Sequence, residues 1–509
     1  MGFQGVPEPP AGMHGTLQGA VRFPHHDPWN TREALVAGRF CFLNDAQDLG
    51  WPIDWKAASQ PLLWRFNLHY FHYLALLEPE EQVRFCRSWV AEHPVGAGVG
   101  WHPYPTALRV VNWCRAGLAE ADLQASLYRQ AAYLYRNLET YIYGNHLLEN
   151  ARALVLAGCF FGARGEAAAW LAKGLQLYRQ ETPEQVLPDG GHFERSPMYH
   201  ALMLEGYLDV LNVLPEDHPD RPGLVDTAKR MADVLVSLTH PDGQLALFND
   251  ATQEIALPVE TLCGYVQDLL GYEAQPRDGL PDTGYFIHRD ASAYLAIDGG
   301  AVGPDYLLAH AHADVFSYEL SLHRQPFVVD SGVYEYPAGA MRTYVRSTAA
   351  HNTVAVDGVN QVECWGSFRV ARRFAPYGVT FTDAGGLRRF EGTFAGYATL
   401  IGDGIRHRRS ITVDRAARVI TVEDQVEGVG THRVESRVHL HPDVTVDEAE
   451  GAMTLYHGDA RCRLCAETDP AGWEEGWYCP RFGVRRRNAV FVLGGVVDLP
   501  VRLAYQFHF

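Results

Sequence analysis

The stretch "AQPRDGLPDTGYFIHRD" (residues 274–290) decides the fold. Before it, apolar residues recur every three or four positions; after it, they alternate every second position. A change from helical to strand period across a segment rich in Pro, Gly and Asp separates two kinds of architecture. Upstream, the runs 60–77, 80–93, 106–121, 123–142, 146–162, 165–182, 198–214 and 224–240 each read as an amphipathic helix. Their similar lengths and short connectors predict a layered array of antiparallel helix pairs. No motif repeats at a fixed period, which argues against a solenoid of the tetratricopeptide kind. Downstream, runs such as "AYLAIDGG", "FSYELSLHRQPFVVDSG", "HNTVAVDG", "RSITVDRAARVITVEDQV" and "VRLAYQFHF" are short, β-branched and alternating, and predict antiparallel sheets. The expectation is a multidomain α+β chain, with a helical domain over 1–280 and an antiparallel β domain over 281–509.

Composition narrows the function classes. Of the 509 residues 47% are hydrophobic and 20% charged, the profile of a soluble globular protein. A formal net charge of −18 argues against a general nucleic-acid or anionic-membrane binder. No run approaches the ~20 apolar residues of a membrane span. The N-terminus, "MGFQGVPEPPAGMHGTLQGAVRF", has neither a basic start nor a signal-length apolar core. The sequence as it stands reads as cytoplasmic, or as periplasmic or secreted if a leader has been removed. Nine scattered cysteines suit reduced thiols. Cys462 and Cys465 form a lone CxxC on a strand, where positions three apart face opposite sides, so neither a zinc knuckle nor a redox pair is expected. The 25 Tyr and 11 Trp suit sugar stacking and aromatic cores equally.

Four constellations could carry chemistry. "HAHADVFSYEL" (310–320), "VVDSG" (328–332) and "AAHNTV" (349–354) supply His312, Asp330 and His351, each at a strand or strand end. Two imidazoles and a carboxylate suit zinc and tolerate manganese. His310, on the same strand face as His312, is either a fourth ligand or a substrate contact. Hydrogen-bonded core histidines are the competing reading. "YGNHLLENAR" (143–152) places Asn145, His146, Glu149 and Arg152 at a helix start, with His146 and Glu149 on one face; Asn145 could instead be a helix cap. "LPDGGHFERSPMYH" (187–200) packs His192, Glu194, Arg195, Tyr199 and His200 after a Gly-rich turn. "SGVYEYPAGAMRTYVRSTAAHNT" (331–353) clusters Tyr334, Tyr336, Arg342, Tyr344 and Arg346. Basic side chains recur in "FRVARRF" (368–374) and "IRHRRS" (405–410), which could coat a cleft for a polyanion or simply be a solvated strand face.

Taken together, these stretches resemble the heparinase II/III family of polysaccharide lyases and the related alginate lyases. The motifs "LLWRFNLHYFHYL", "WHPYPTALRVVNW", "GNHLLENARALVLAG", "DGGHFERSPMYH", "HPDGQLALFND", "HAHADVFSYEL", "VVDSGVYEY" and "RSTAAHNTVAVDG" occur in the family's order. The resemblance implies an incomplete (α/α) toroid followed by an antiparallel β-sandwich domain, with the active site in the cleft between. It also implies β-elimination of a uronate-containing polysaccharide: a glycosaminoglycan such as heparan sulfate, alginate, or a bacterial exopolysaccharide. Carried over, Asn145 and His146 match the pair that meets the uronate carboxylate, Tyr199 the catalytic tyrosine, and Tyr336 a second active-site tyrosine. His312, Asp330 and His351 match a site for one divalent metal, zinc or manganese. His310 joins the expected catalytic set, and Glu149, His192, Arg195 and Arg342 the substrate-binding set. Glu149 is expected to hold the His146 ring, and Arg195 or His192 to tune Tyr199. The C5 base stays open among His146, Tyr336 and Tyr199. A toroid glycoside hydrolase using Glu194 and Asp189, or a non-catalytic glycan-binding protein, are the competing classes.

Overall fold

Helical periodicity carries through the first half of the computed structural model, which describes residues 9–10, 14–449, 452–468 and 471–509. The main helices are Leu62–Tyr70, Pro79–Glu92, Pro103–Ala116, Ala121–Arg136, Gly144–Phe160, Glu166–Gln185, Pro197–Val213, Arg221–Ser237 and Val259–Leu270. The expected helix 60–77 stops early. Phe71 turns left-handed, with φ 62 and ψ 27, and a 3-10 turn over His72–Leu76 follows. Val259–Leu270 lies outside the expected set, although its buried Leu262, Tyr265 and Val266 fall at i, i+3 and i+4.

Helix packing shows in the small residues. A Cβ on Gly158 would meet Leu171 at 2.7 Å, and one on Gly174 would meet Val155 at 2.7 Å. Gly144–Phe160 and Glu166–Gln185 can lie this close only because both positions lack a side chain. The aromatic surplus goes largely into the core: Trp55, Trp64, Trp89, Trp113 and Trp170 are fully buried. Buried Arg109 lies 3.9 Å over the Trp89 ring and donates to Gln130 and to the Gly100 carbonyl, so its charge is not stranded.

The second half is antiparallel throughout its named sheets. A five-stranded sheet runs Gly279–Leu280, Tyr285–Arg289, Ala293–Asp298, Tyr318–Leu322, Gln325–Val328. A four-stranded sheet orders Ala471–Arg481, Val484–Asp498, Thr431–His439, Val354–Val356. An eight-stranded sheet runs Tyr377–Ala384, Leu387–Phe394, Arg406–Asp414, Val419–Glu427, Val501–His508, Ala460–Ala466, Ala452–His457, Thr445–Ala449. Alternate residues of these strands, including Phe390, Ile411, Val422, Phe491 and Tyr505, fill one continuous core. Even the polar inward positions are paired: Asp424 accepts from His407 at 2.7 Å and from Arg409 at 2.7 and 2.8 Å.

By contacts, the chain forms two units. The first takes Met1–Val186, Ala201–Ala232 and Glu260–Ala274; the second takes Leu187–His200, Asp233–Val259 and Gln275–Phe509. Two segments of the helical half, including "LPDGGHFERSPMYH", therefore belong with the sheets. Among the described residues no helix is long and apolar enough to cross a membrane, and all nine cysteines are free thiols.

Candidate active site and metal centre

In the second unit a single carboxylate gathers the chemistry. Asn249 adopts φ 57, a left-handed conformation that Asn tolerates, and so turns Asp250 inward. Asp250 is then fixed from every side. Its N–H donates to the His310 carbonyl at 3.0 Å, and its carbonyl accepts the Ser196 hydroxyl at 2.8 Å. Its carboxylate accepts His310 Nδ1 at 3.0 Å, His312 Nε2 at 2.9 Å, and both terminal nitrogens of buried Arg342. Burial alone would raise this acid, but the Arg342 charge and the three donors hold it well below the usual carboxylate range.

His310 carries the arrangement to two tyrosines. Its ring stacks on Tyr199 at 3.9 Å, and Tyr199 Oη lies 3.0 Å from Tyr336 Oη. Ser196 accepts the Tyr199 N–H at 3.4 Å, with Pro197 as first helical residue, so Tyr199 stands in the first turn of Pro197–Val213. Phe368 and Phe482 pack edge-on against the Tyr336 ring at 5.1 and 4.9 Å. Burial, then Tyr336, Asp250 and Glu194, push the Tyr199 phenol well above its ordinary value, so it keeps its proton. Glu194 Oε2 lies 3.8 Å from His310 Nε2 and 3.9 Å from His192 Nδ1. Burial lowers His192 to about 4, leaving it neutral.

Beside Asp250 lies a candidate metal centre. His312, Asp314 and His351 are buried, and each offers a ligand atom within 4.8 Å of the others. Among the described residues His312 Nδ1, Asp314 Oδ2 and His351 Nε2 are buried without a hydrogen-bond partner. Three orphaned acceptor-type atoms converging in one place fit a divalent cation. Burial, and behind it the Asp330 charge, raise Asp314 to about 6 against the opposing pull of His351. Asp330 plays a different part from that expected: it accepts His351 Nδ1 at 2.7 Å, orienting the ring. Nor are these residues on strands. His310 and His312 lie in the loop before Tyr318–Leu322, Asp330 follows Gln325–Val328, and His351 ends the turn Thr348–Ala350. Loops, not strand alternation, bring His310 and His312 to one carboxylate.

The first unit holds the Asn-His pair. Tyr143 (φ 63) and Gly144 (φ 62) make a tight entry into Gly144–Phe160. Tyr143 occupies the cap position, so Asn145 is not the cap but lies buried inside the first turn. The His146 ring packs on Tyr104 at 4.3 Å, and its Nδ1 lies 3.0 Å from Glu139 Oε1. Asn150 holds Glu139 in turn, donating to its Oε2 at 3.0 Å and accepting its N–H at 2.9 Å.

Three expected roles are therefore corrected. Glu149 does not hold His146: it is 2% exposed and accepts Arg152 at 3.2 Å, in a buried network with Glu205, Asp209 and Arg115. Arg195 does not reach Tyr199, because its guanidinium donates to the carbonyls of Thr283 at 2.7 Å and Asp282 at 3.2 Å. Arg342 is fully buried on Asp250 and the Ser367 carbonyl, which leaves none of its charge for substrate. Asp250, Glu139 and Asp314 are the members that sequence reading missed. Asp250 ends the quoted motif "HPDGQLALFND", and Asp314 lies two residues past His312; both could have been flagged by position. Glu139 carried no such signal.

Comparison with known proteins bears on the family and the fold. The family model "Heparinase II/III N-terminus" matches residues 118–265, and "Heparinase II/III-like, C-terminal" matches 274–504. A heparin-sulfate lyase of Bacteroides stercoris is 27% identical over 248 residues, 43% of this chain and 36% of its own length. One from Pedobacter heparinus is 23% identical over 376 residues, 63% of this chain and 56% of its own. The chain thus spans less than two thirds of the curated relatives it matches. Among solved structures, a heparinase III superposes with TM-score 0.69 at 16% identity, covering 91% of this chain and 80% of that one. A heparan sulfate lyase of Pedobacter heparinus gives 0.60 at 18% identity, covering 94% and 82%. These likenesses establish the fold, a helical toroid with a β-sandwich. With both family models matched in order over most of its length, the chain belongs to the heparinase II/III family.

Proposed function

We propose that this protein is a polysaccharide lyase that cleaves a heparan-type glycosaminoglycan by β-elimination. The observation that carries the reading is the array of His310, Tyr199 and Tyr336, with hydroxyls 3.0 Å apart and a stacked imidazole at 3.9 Å. The names of the relatives supply the substrate class.

In the reaction the C5–H bond of a uronate breaks, a C4–C5 double bond forms, and the C4–O4 bond breaks with its electron pair leaving on O4. C5 beside an ionised carboxylate is a very weak acid, so the carboxylate charge must be offset by aimed donors. The Asn145 amide is suited to this. With Glu139 accepting the Nδ1 proton, the Nε2 atom of His146 is the one suited to taking the C5 proton. Tyr199, held protonated by its surroundings, is suited to giving O4 its proton, and Tyr336 can reprotonate Tyr199 across the 3.0 Å contact. His310, fixed by Asp250, positions the Tyr199 ring.

We further propose zinc or manganese at His312, Asp314 and His351, with Asp330 as the orienting partner. A bound cation would supply charge that pins the 310–314 loop next to the tyrosines. Metal analysis of Asp314→Asn and Asp330→Asn separates the roles. Asp314→Asn should lose the ion, while Asp330→Asn should weaken it about 10–100-fold, as orienting partners do.

The test of function is incubation with heparan sulfate, other uronate polymers and alginate, reading the ultraviolet absorbance of a 4,5-unsaturated uronate. Reducing ends appearing without that absorbance would identify a hydrolase instead. Neither signal on any polymer would leave a glycan-binding protein.

A further inference from the structure

The second unit carries another metal-type cluster, made of residues that the candidate site does not use. His441, Asp443 and His457 each offer a ligand atom within 4.8 Å of the other two. His441 follows the strand Thr431–His439, Asp443 lies in the turn to Thr445–Ala449, and His457 ends Ala452–His457. Both histidines hang from neighbouring carbonyls of the strand Gln325–Val328: Phe327 accepts the His441 N–H at 3.0 Å, and Pro326 accepts His457 Nδ1 at 2.8 Å.

These bonds fix the tautomers. A carbonyl only accepts, so His457 carries its proton on Nδ1 and keeps the Nε2 lone pair, as metal-bound histidines do. His441 Nδ1 accepts the Asp443 N–H at a long 3.2 Å, so it too is unprotonated, and it lies 3.7 Å from Asp443 Oδ2. The two rings are nearly parallel, 15° apart with centroids at 4.9 Å. Parallel imidazoles at this spacing gain little from each other, whereas a cation would draw both rings and the Asp443 carboxylate to one centre.

We infer that His441, Asp443 and His457 form a second divalent-cation site, and that zinc is the ion their two-imidazole, one-carboxylate set suits. Arg486 is its competitor. Arg486 donates to both Asp443 oxygens, to Oδ2 at 3.2 Å and also to Oδ1. The pair is exposed, 44% for Arg486 and 51% for Asp443, so it is weakly held and can share or yield the carboxylate. A cation here would join two strand ends to the edge strand Gln325–Val328, a structural clip independent of the proposed lyase activity.

The test is zinc binding to the full chain by equilibrium dialysis with elemental analysis, together with thermal melting. His457→Ala should bind one zinc fewer per chain than wild type, and zinc should raise the wild-type melting temperature more than that of the variant. Asp443 lies on an exposed turn, so Asp443→Asn keeps the fold and should also lose or weaken that zinc. Arg486→Gln removes the competitor and should bind the same zinc several-fold more tightly. Equal zinc counts and equal affinities in wild type, His457→Ala and Asp443→Asn would overturn the inference and leave Arg486 as the cation of Asp443.

Discussion

Replacing Asp250 with Asn changes one oxygen for an amide group and leaves the shape almost intact, so it isolates the charge. Asp250 and Arg342 are both fully buried. With Asn at 250 the guanidinium loses its counter-charge, and one of the two histidine donors meets an NH₂ instead of an acceptor. Breaking a buried pair from one side costs about 3–5 kcal/mol, mostly the penalty of the stranded partner. At roughly 2 °C per kcal/mol for a unit of this size, the melting temperature should fall by roughly 6–10 °C. Asp250→Asn/Arg342→Met removes the stranded charge as well, and should regain much of the loss, because apolar replacement of a whole buried pair is close to neutral. Neither variant should regain activity, since His310 and His312 have lost their common acceptor. Scanning calorimetry beside the unsaturated-uronate assay reads both effects. A single variant melting within about 1 °C of wild type would falsify the view that this carboxylate organises the site.

Other outcomes follow from the same geometry. Tyr199→Phe keeps the ring and its stack on His310, so melting should hold while turnover falls ~10²- to 10⁴-fold with KM little changed; wild-type turnover would remove the phenol from the mechanism. Glu139→Gln keeps the Asn150 bonds within reach but no longer dictates which His146 nitrogen carries the proton. Turnover should drop between ~10- and ~10⁴-fold, the upper end being the cost of a wrong tautomer, whereas unchanged kinetics would leave Glu139 a purely structural role. Acid should destabilise the fold early. His192 is held at about 4 and His69, whose Nδ1 accepts the Trp89 N–H at 3.1 Å, well below its usual 6.5, each chiefly by burial. The unfolded chain takes up these protons near pH 6.5, the folded chain only at about 4 for His192 and well below 6.5 for His69, so stability is full above that window and is lost as pH falls through it. Each such histidine contributes up to ~1.4 kcal/mol per pH unit. A urea midpoint that stays flat from pH 7 to pH 4.5 would contradict this assignment.

How much of this was readable in advance differs with the physics. Helices and strands are written as period, and period survives in a single sequence, which is why Gly144–Phe160 and Pro197–Val213 fall within two residues of expectation at each end. Val259–Leu270 has the same period, but it is short and borders the change of period, which leaves it less distinct in the sequence. The site is another matter. His312, Asp330 and His351 could be picked out by residue type, but their division into ligands and orienting partner depends on loops. Position in a loop also decided the arginines. Arg195 and Arg342 looked like substrate contacts because a sequence shows charge but not the carbonyls of Thr283 and Asp282, or the carboxylate of Asp250, that absorb it. The error with Glu149 is similar. Three residues from His146 on a helix is the right spacing for a contact, yet Arg152, also three residues on, offers Glu149 a full charge in a buried setting, and the stronger partner wins.

With both of those arginines consumed internally, a chain of net charge −18 would still have to meet the proposed polyanionic substrate. Net charge acts only over about a Debye length, ~8 Å in physiological salt, so what counts is the charge beside the tyrosines. The loop that carries Tyr336 is tied to the hairpin of Ala471–Arg481 and Val484–Asp498: Gly483 donates its N–H to the Tyr334 carbonyl at 2.9 Å, and Phe482 packs on Tyr336. That hairpin is basic. Arg485 lies 5.2 Å over the Tyr334 ring and 4.7 Å over Trp477, and Arg487 lies 3.8 Å over Trp477. Stacking on aromatic faces holds the Arg485 guanidinium in place without neutralising it, unlike the carbonyl and carboxylate contacts of Arg195 and Arg342, whereas Arg487 also lies 3.7 Å from the Glu475 carboxylate. Arg485, held on the Tyr334 and Trp477 rings, is therefore positive charge on the loop that carries Tyr336, and an acidic chain can keep it while carrying its excess carboxylates elsewhere.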